Sequence, residues 1–175
     1  MSFEAGTVDL VTCCAAVHWF DFDTFYKEVD RVLRPGGVLA CYSYMLCTPV
    51  CRGHSLRSTV EELFHELQSY WTESHSLLWE EYSTLPQLYS DDLHIGSSGG
   101  GFRSGSEGTV EEVVGYMESW SAVNKLKEKE GKEAALLFLK EAKQRLLQAA
   151  GTDNDKETFT RQYDYFLRMW RKPFN

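Results

Sequence analysis

The chain has 175 residues, 43% of them hydrophobic and 25% charged, with a formal net charge of -8 at pH 7. This is the make-up of a soluble globular domain with enough chain for a core, and its acidic balance argues against a nucleic acid or an acidic membrane surface as partner. No apolar run reaches the roughly 18 residues of a membrane span. Met1-Ser2-Phe3-Glu4 has neither a basic nor an apolar signal region, and five cysteines without regular spacing suggest no disulfide framework. A cytoplasmic, reducing setting is the expectation.

The first informative stretch is Val8–Tyr44, VDLVTCCAAVHWFDFDTFYKEVDRVLRPGGVLACYSY. Val8–Cys14 is a short apolar run, as expected of a strand covered on both faces. A loop, Ala15–Asp21, follows. Asp21 or Asp23 caps a helix with Phe22, Phe25, Tyr26, Val29, Val32 and Leu33 at spacings of three and four. Pro35-Gly36-Gly37 ends it, and Gly37–Tyr44 is the next strand. Strand, helix, strand with short connections is a right-handed βαβ unit with parallel strands. Only a short loop precedes the first strand, so one of its edges is expected to lack a partner and to promote self-association. Ligands in such sheets bind beyond the carboxyl ends of the strands, here the Ala15–Asp21 loop.

Met45–His54 is expected to be irregular. Its Cys47, Cys51 and His54 do not have a recurrent zinc spacing, so no metal is expected. Ser58 with Glu61, or Thr59 with Glu62, makes a capping box for a helix reaching about Trp71. His65 and His75 read as solvent-facing or hydrogen-bonded. Ser76–Ser90, with Trp79, Tyr82 and Tyr89, lines a pocket or fills a satellite core. The glycines of Asp91–Gly108, including Gly99, Gly100 and Gly101, meet neither condition of a phosphate loop and suggest a flexible loop or a weak strand. Thr109 and Glu112 cap a helix to about Asn124. Lys125–Lys132 is a charged connector, Glu133–Ala150 another helix closed by Gly151, and Thr158–Trp170 a half-buried antiparallel strand showing Phe159, Tyr163, Tyr165, Leu167 and Met169 on one face.

The order VDLV, AAVHWF, EVDRVLRPGG, GVLACYSY resembles the second half of a class I S-adenosylmethionine-dependent methyltransferase. Tyr116–Asn124 (YMESWSAVN) and the closing strand are similar to the trans-aconitate methyltransferase-like branch of the type 11 family. The resemblance implies an α/β fold: a partial Rossmann-like sheet of strands 4, 5, 7 and 6, the sixth near Leu93–Phe102, with added helices. It implies one domain over 1–175: a βαβ core at 1–44, a helical and irregular lid at 45–108, and two helices with the closing strand at 109–175. It also implies S-adenosylmethionine as cofactor and a small-molecule methyl acceptor, with no nucleic acid and no membrane as partner. The family's glycine-rich cofactor turn is not found in this sequence, so weak or absent cofactor binding by the chain alone is expected.

The same resemblance puts Ala15, Ala16, Val17, His18 and Trp19 beside the cofactor. Trp19 faces the sulfonium or packs in the core; His18 positions the acceptor, takes its proton, or is a structural histidine. Trp120 closes the acceptor pocket or packs in the core. Arg52, Arg57 and Arg161 are candidates for a carboxylate clamp, with nothing to choose among them. Two other classes stay open: a non-catalytic interaction module pairing through its open sheet edge, and a truncated product without activity of its own.

Overall fold

The computed structural model describes residues 2–98 and 102–174. Gly99, Gly100 and Gly101 lie outside the described residues. The strands are β1 (Val8–Cys14), β2 (Leu33–Tyr44), β3 (Thr48–Cys51), β4 (His54–Ser55), β5 (Asp91–Ile95), β6 (Arg103–Gly108) and β7 (Phe159–Arg171). The helices are α1 (Phe22–Val32), α2 (Arg57–Glu66), α3 (Ser76–Trp79), α4 (Val110–Glu118), α5 (Ser121–Glu130) and α6 (Lys132–Ala149). Among the described residues, no helix is long and apolar enough to cross a membrane. The chain divides into two compact units. The first comprises Met1–Met45, Ser74–Phe102 and Asp164–Asn175; the second comprises Leu46–Glu73 and Arg103–Tyr163.

The first unit is the βαβ element and what packs on it. Strands β1 and β2 are parallel, paired from Leu10 with Val38 to Cys14 with Tyr42. Asp21, not Asp23, is the cap of α1: its carboxylate accepts from Thr24 N at 2.9 Å, satisfying one of the free donors of the first turn. The helix buries Val29 and Val32 and stops there, one residue earlier than the apolar spacing suggests. The chain turns extended at Leu33, and the proline keeps Arg34, the residue before it, from resuming the helix. Pro35-Gly36-Gly37 thus lies inside β2, in a shift of register between the pairs Val8–Leu33 and Leu10–Val38.

On its other edge β2 pairs antiparallel with β7, from Val38–Arg171 to Tyr44–Tyr165. Strand β5 takes the far edge of β7, from Asp91–Arg171 to Ile95–Leu167. The order β1-β2-β7-β5 reproduces the expected 4-5-7-6 half sheet, with the sixth strand slightly earlier than Leu93–Phe102. Two local expectations change. β1 is not covered on both faces: β2 is its partner among the described residues, and Leu10 is 53% exposed. A strand with one neighbour leaves its outer edge to solvent. On β7 the buried positions are Phe159, Phe166 and Trp170, so the face carrying Phe166 and Trp170 is the more buried one, opposite to that expected for Tyr165, Leu167 and Met169. Arg168 shares this inner face because its charge is met: it pairs with Asp92 at 2.5 Å and donates to the carbonyls of Tyr82 and Ser83. The core of the unit is Val17, Val29, Leu33, Leu39, Cys41, Tyr82, Phe166 and Trp170, each fully buried.

In the second unit Met45–His54 is not irregular. β3 and β4 form a hairpin whose turn, Arg52-Gly53, has both φ values positive (49° and 81°), as a two-residue type I′ turn requires. Pro49 is tolerated in β3; its carbonyl accepts from Leu56 N at 2.8 Å. Among the described residues no group of three or more His, Cys, Asp or Glu side chains could hold a metal ion. Neither capping box of the Ser58 region forms. Helix α2 begins at Arg57, and the two glutamates are held by arginines instead: Glu61 by Arg57 at 2.7 Å and Glu62 by Arg145 at 2.7 Å.

The Thr109–Glu112 box does form, with Thr109 N donating to the Glu112 carboxylate at 2.8 Å. Thr109→Ala should therefore lower stability by about 1 kcal/mol. A thermal melt of the variant superimposable on the wild type would show that the box contributes nothing. The helix opened by this box does not reach Asn124. It breaks at Trp120, whose backbone is extended (φ -63°, ψ 135°). The indole packs on Phe64 and Trp71 at ring distances of 5.9 and 5.8 Å, and burying it outweighs one uninterrupted helix. The expected connector Lys125–Lys132 is mostly α5, separated from α6 by Gly131 at φ 99°.

Candidate functional site

The site is built where β1 ends. Ala15 N donates to the Tyr42 carbonyl at 2.9 Å, one last step of sheet pairing, and Ala15 itself lies at φ 49°. That conformation is costly for a branched or bulky side chain, which is a reason for a small residue there. Val17–Trp19 then makes one 3-10 turn, with Trp19 N bonded to Ala16 O and Phe20 N to Val17 O. The turn sends successive side chains different ways. Val17 is fully buried in the core, His18 is buried, and Trp19 is 52% exposed.

A cavity of about 650 Å³ runs along the free edge of β1, lined by Val11–Cys14, by Ala16, Trp19 and Phe20 of the loop, and by Asp21, Thr24, Phe25 and Glu28 of α1 and its cap. Of the five residues proposed for the cofactor, Ala16 and Trp19 therefore line the cavity. Val17 anchors the loop, and His18 belongs to a buried aromatic cluster behind it.

That cluster is the part of the site that sequence reading missed. His18 Nδ1 lies 3.0 Å from the Tyr82 hydroxyl. The His75 ring is 5.6 Å from that of His18 and stands edge-on to Trp19 at 5.3 Å. His75 is buried, which a solvent-facing reading did not anticipate. Burial, and then the neighbouring His75, push the His18 pKa down to about 4, so its imidazole is neutral near pH 7. Burial raises the Tyr82 hydroxyl well above its usual range, so it too is neutral and able to donate. Beneath them Cys13 and Cys41 face each other across the parallel pair, both as buried free thiols; their mutual hydrogen bond and burial hold Cys41 protonated.

The other proposed residues belong to the second unit. Arg52 is paired with Glu157 at 2.5 Å and Arg57 with Glu61 at 2.7 Å. Arg161 reaches Ser106 at 3.1 Å and Glu112 at 3.4 Å, while its buried Nε has no hydrogen-bond partner among the described residues. The Trp120 indole N–H is likewise buried without one. A buried donor left unmatched costs about 1–3 kcal/mol, so these two atoms stand out as places where an acceptor would be favourable.

Residues 1–41 match the family model described as a methyltransferase domain. A Dictyostelium discoideum protein with a provisional methyltransferase name is 25% identical over 175 residues, covering 98% of this chain and 63% of that protein. A solved structure, of a provisionally named type II methyltransferase from Anaeromyxobacter dehalogenans, is 26% identical with a TM-score of 0.71, covering 98% of this chain and 68% of the other. The chain is thus similar in sequence and in fold to methyltransferases, and spans less than two thirds of the length of the curated relative it matches.

Proposed function

We propose that this chain is part of an S-adenosylmethionine-dependent methyltransferase acting on a small molecule, with Ala15–Trp19 as one wall of the reaction site. The observation that carries this reading is the cavity at the carboxyl end and free edge of β1, walled by Ala16 and Trp19, where parallel α/β sheets bind their ligands. The residues suit the sulfonium end of the cofactor: a half-exposed indole offers its face to a cation, and small side chains at 15 and 16 let a ligand approach the backbone. When bound, the cofactor supplies an activated methyl group. The chain's own residues then orient and exclude water, which is much of what an in-line displacement needs. Neutral His18 supports the wall from behind, its ring 4.9 Å from that of Trp19. In the second unit the guanidinium groups of Arg52, Arg57 and Arg161 all reach carboxylates, and Trp120 Nε1 and Arg161 Nε are buried donors without a partner among the described residues.

One wall buries too little of a cofactor for useful affinity. The expected result of calorimetric titration is no saturable heat for this chain alone at micromolar cofactor. Binding should appear when the part of the Anaeromyxobacter protein that this chain does not match is supplied in trans. Micromolar binding by the lone chain would mean that it builds a complete site by itself. An assembled complex that binds no cofactor would remove the methyltransferase reading and favour the second one, a non-catalytic module pairing through β1. That second reading rests on the edge of β1 that has no partner among the described residues and on the exposed Leu10 of that strand.

A further inference from the structure

A neutral imidazole carries its proton on one of two nitrogens, and the neighbouring groups decide which. For His18 that neighbour is Tyr82, at 3.0 Å from Nδ1. A phenol donates a hydrogen bond far better than it accepts one, because the ring draws on the oxygen lone pairs. The Ser43 hydroxyl also meets Tyr82 and is directed to the Tyr44 carbonyl at 3.2 Å, so its oxygen is a competing acceptor for the phenol. An imidazole nitrogen is the stronger acceptor of the two, so the favoured arrangement is Tyr82 O–H donating to Nδ1, which leaves the proton on Nε2.

The backbone that brings Tyr82 there is strained. Helix α3 closes in a Schellman motif: Tyr82 N donates to Leu77 O at 2.9 Å and Glu81 N to Leu78 O at 2.9 Å. The position after the cap, normally glycine, is Glu81 at φ 50°, and Tyr82 follows at φ 62°. Two consecutive left-handed residues that are not glycine are strained, and they persist only where the surroundings hold them. Here the Glu81 carboxylate accepts from Ser97 N and from the Ser97 hydroxyl, and the Glu81 carbonyl meets His94 Nε2 at 2.8 Å. A fully buried tyrosine is thus carried by a strained, externally anchored turn to one nitrogen of one histidine.

We propose that Tyr82 is a positioning residue: it donates to Nδ1 of His18, keeps the imidazole proton on Nε2, and so makes the ring that packs behind Trp19 a donor rather than a base at its second nitrogen. That Trp19 walls a methyl-transfer site rests on the reading above; the tautomer does not.

The test is a long-range proton–nitrogen correlation spectrum of the full chain labelled at its histidine nitrogens, near neutral pH, with His18 assigned by its disappearance in His18→Gln. The expected wild-type pattern is a protonated Nε2 and an unprotonated Nδ1 shifted upfield by its hydrogen bond. In Tyr82→Phe the Nδ1 signal should move downfield toward that of a free ring nitrogen. A protonated Nδ1, as in a chain running from His18 through Tyr82 to Ser43, overturns the proposal, as do exchange-averaged nitrogens or an Nδ1 signal indifferent to Tyr82→Phe. If that variant does not fold, the wild-type Nδ1 position alone reads the hydrogen bond. Absence of cofactor binding in the complementation titration would remove the methyl-transfer reading and leave these spectra as they are.

Discussion

Trp170→Ala should lower the free energy of unfolding by about 3–5 kcal/mol, the range for deleting a large aromatic side chain from a core that cannot collapse around the hole. Trp170 is fully buried at the end of β7, between Leu39 of β2 and Asp92 of β5 in the register of the sheet. Its ring meets Tyr26 of α1 edge-on at 6.1 Å, and the Arg168 guanidinium lies 5.2 Å from it. One side chain therefore ties the closing strand to both neighbours and to the crossover helix. Trp170→Phe should cost far less than the alanine variant. It keeps an aromatic ring in place, and it removes an indole N–H that is buried without a hydrogen-bond partner among the described residues, whose burial already costs about 1–3 kcal/mol. Urea denaturation of the two variants checks both statements. An alanine variant within 1 kcal/mol of wild type would mean that the closing strand does not hold the first unit together.

How much of this was legible in the sequence follows from the range of the forces involved. The βαβ unit was, because its signals are local: apolar spacing within α1, a capping aspartate and an apolar second strand, each acting over a few residues, though the proline and glycines read as the helix stop fall inside β2. The Thr109–Glu112 box was legible for the same reason, and so was the antiparallel run of β7. The exposed state of β1 was read only in part, since VDLVTCC is apolar enough for a buried strand and its composition does not report how many neighbours it has. The buried face of β7 was read wrongly because Phe166 and Trp170 share it with Arg168. That charge is tolerated through Asp92, seventy-six positions away, and through the carbonyls of Tyr82 and Ser83. The helix break at Trp120 reflects a tertiary contact with Phe64 and Trp71 that no propensity encodes.

The candidate site divides the same way. The place of Ala16, His18 and Trp19 in the loop directly after the first strand was legible. Tyr82, sixty-four residues from His18, was not. The turn that delivers it carries glutamate where the recognisable signal is glycine, and His75 gave no spacing to read. Side chains that complete a site from another part of the chain become visible only when the fold brings them together.

Acidification from pH 6.5 toward pH 4.5 should destabilise the wild-type chain, and His18→Gln should remove most of that loss. His18 is buried, with its pKa pushed from an unfolded value of 6.5 to about 4 by burial and by His75. Above pH 6.5 the imidazole is neutral in both states and contributes nothing to the pH dependence. Between 6.5 and 4 the unfolded chain binds a proton that the folded chain refuses, so stability rises with pH across this window and falls as the pH drops through it. Below pH 4 both states are protonated and the loss is complete. At about 1.4 kcal/mol per pKa unit the full loss is of the order of 3 kcal/mol. The carboxylates that their partners hold below the usual range, Glu28 by Arg31 and Asp30 by Tyr89 and Lys172, contribute in the same direction, but chiefly from their own unfolded values downward, at the acid end of the window. Glutamine at 18 keeps an acceptor for the Tyr82 hydroxyl and cannot titrate, so the difference between the two stability profiles isolates the imidazole. The measurement is urea denaturation of both proteins at successive pH values. Parallel profiles between pH 6.5 and 4.5 would show that His18 is protonated as easily in the folded chain as in the unfolded one, and that the cluster behind the cavity is open to water.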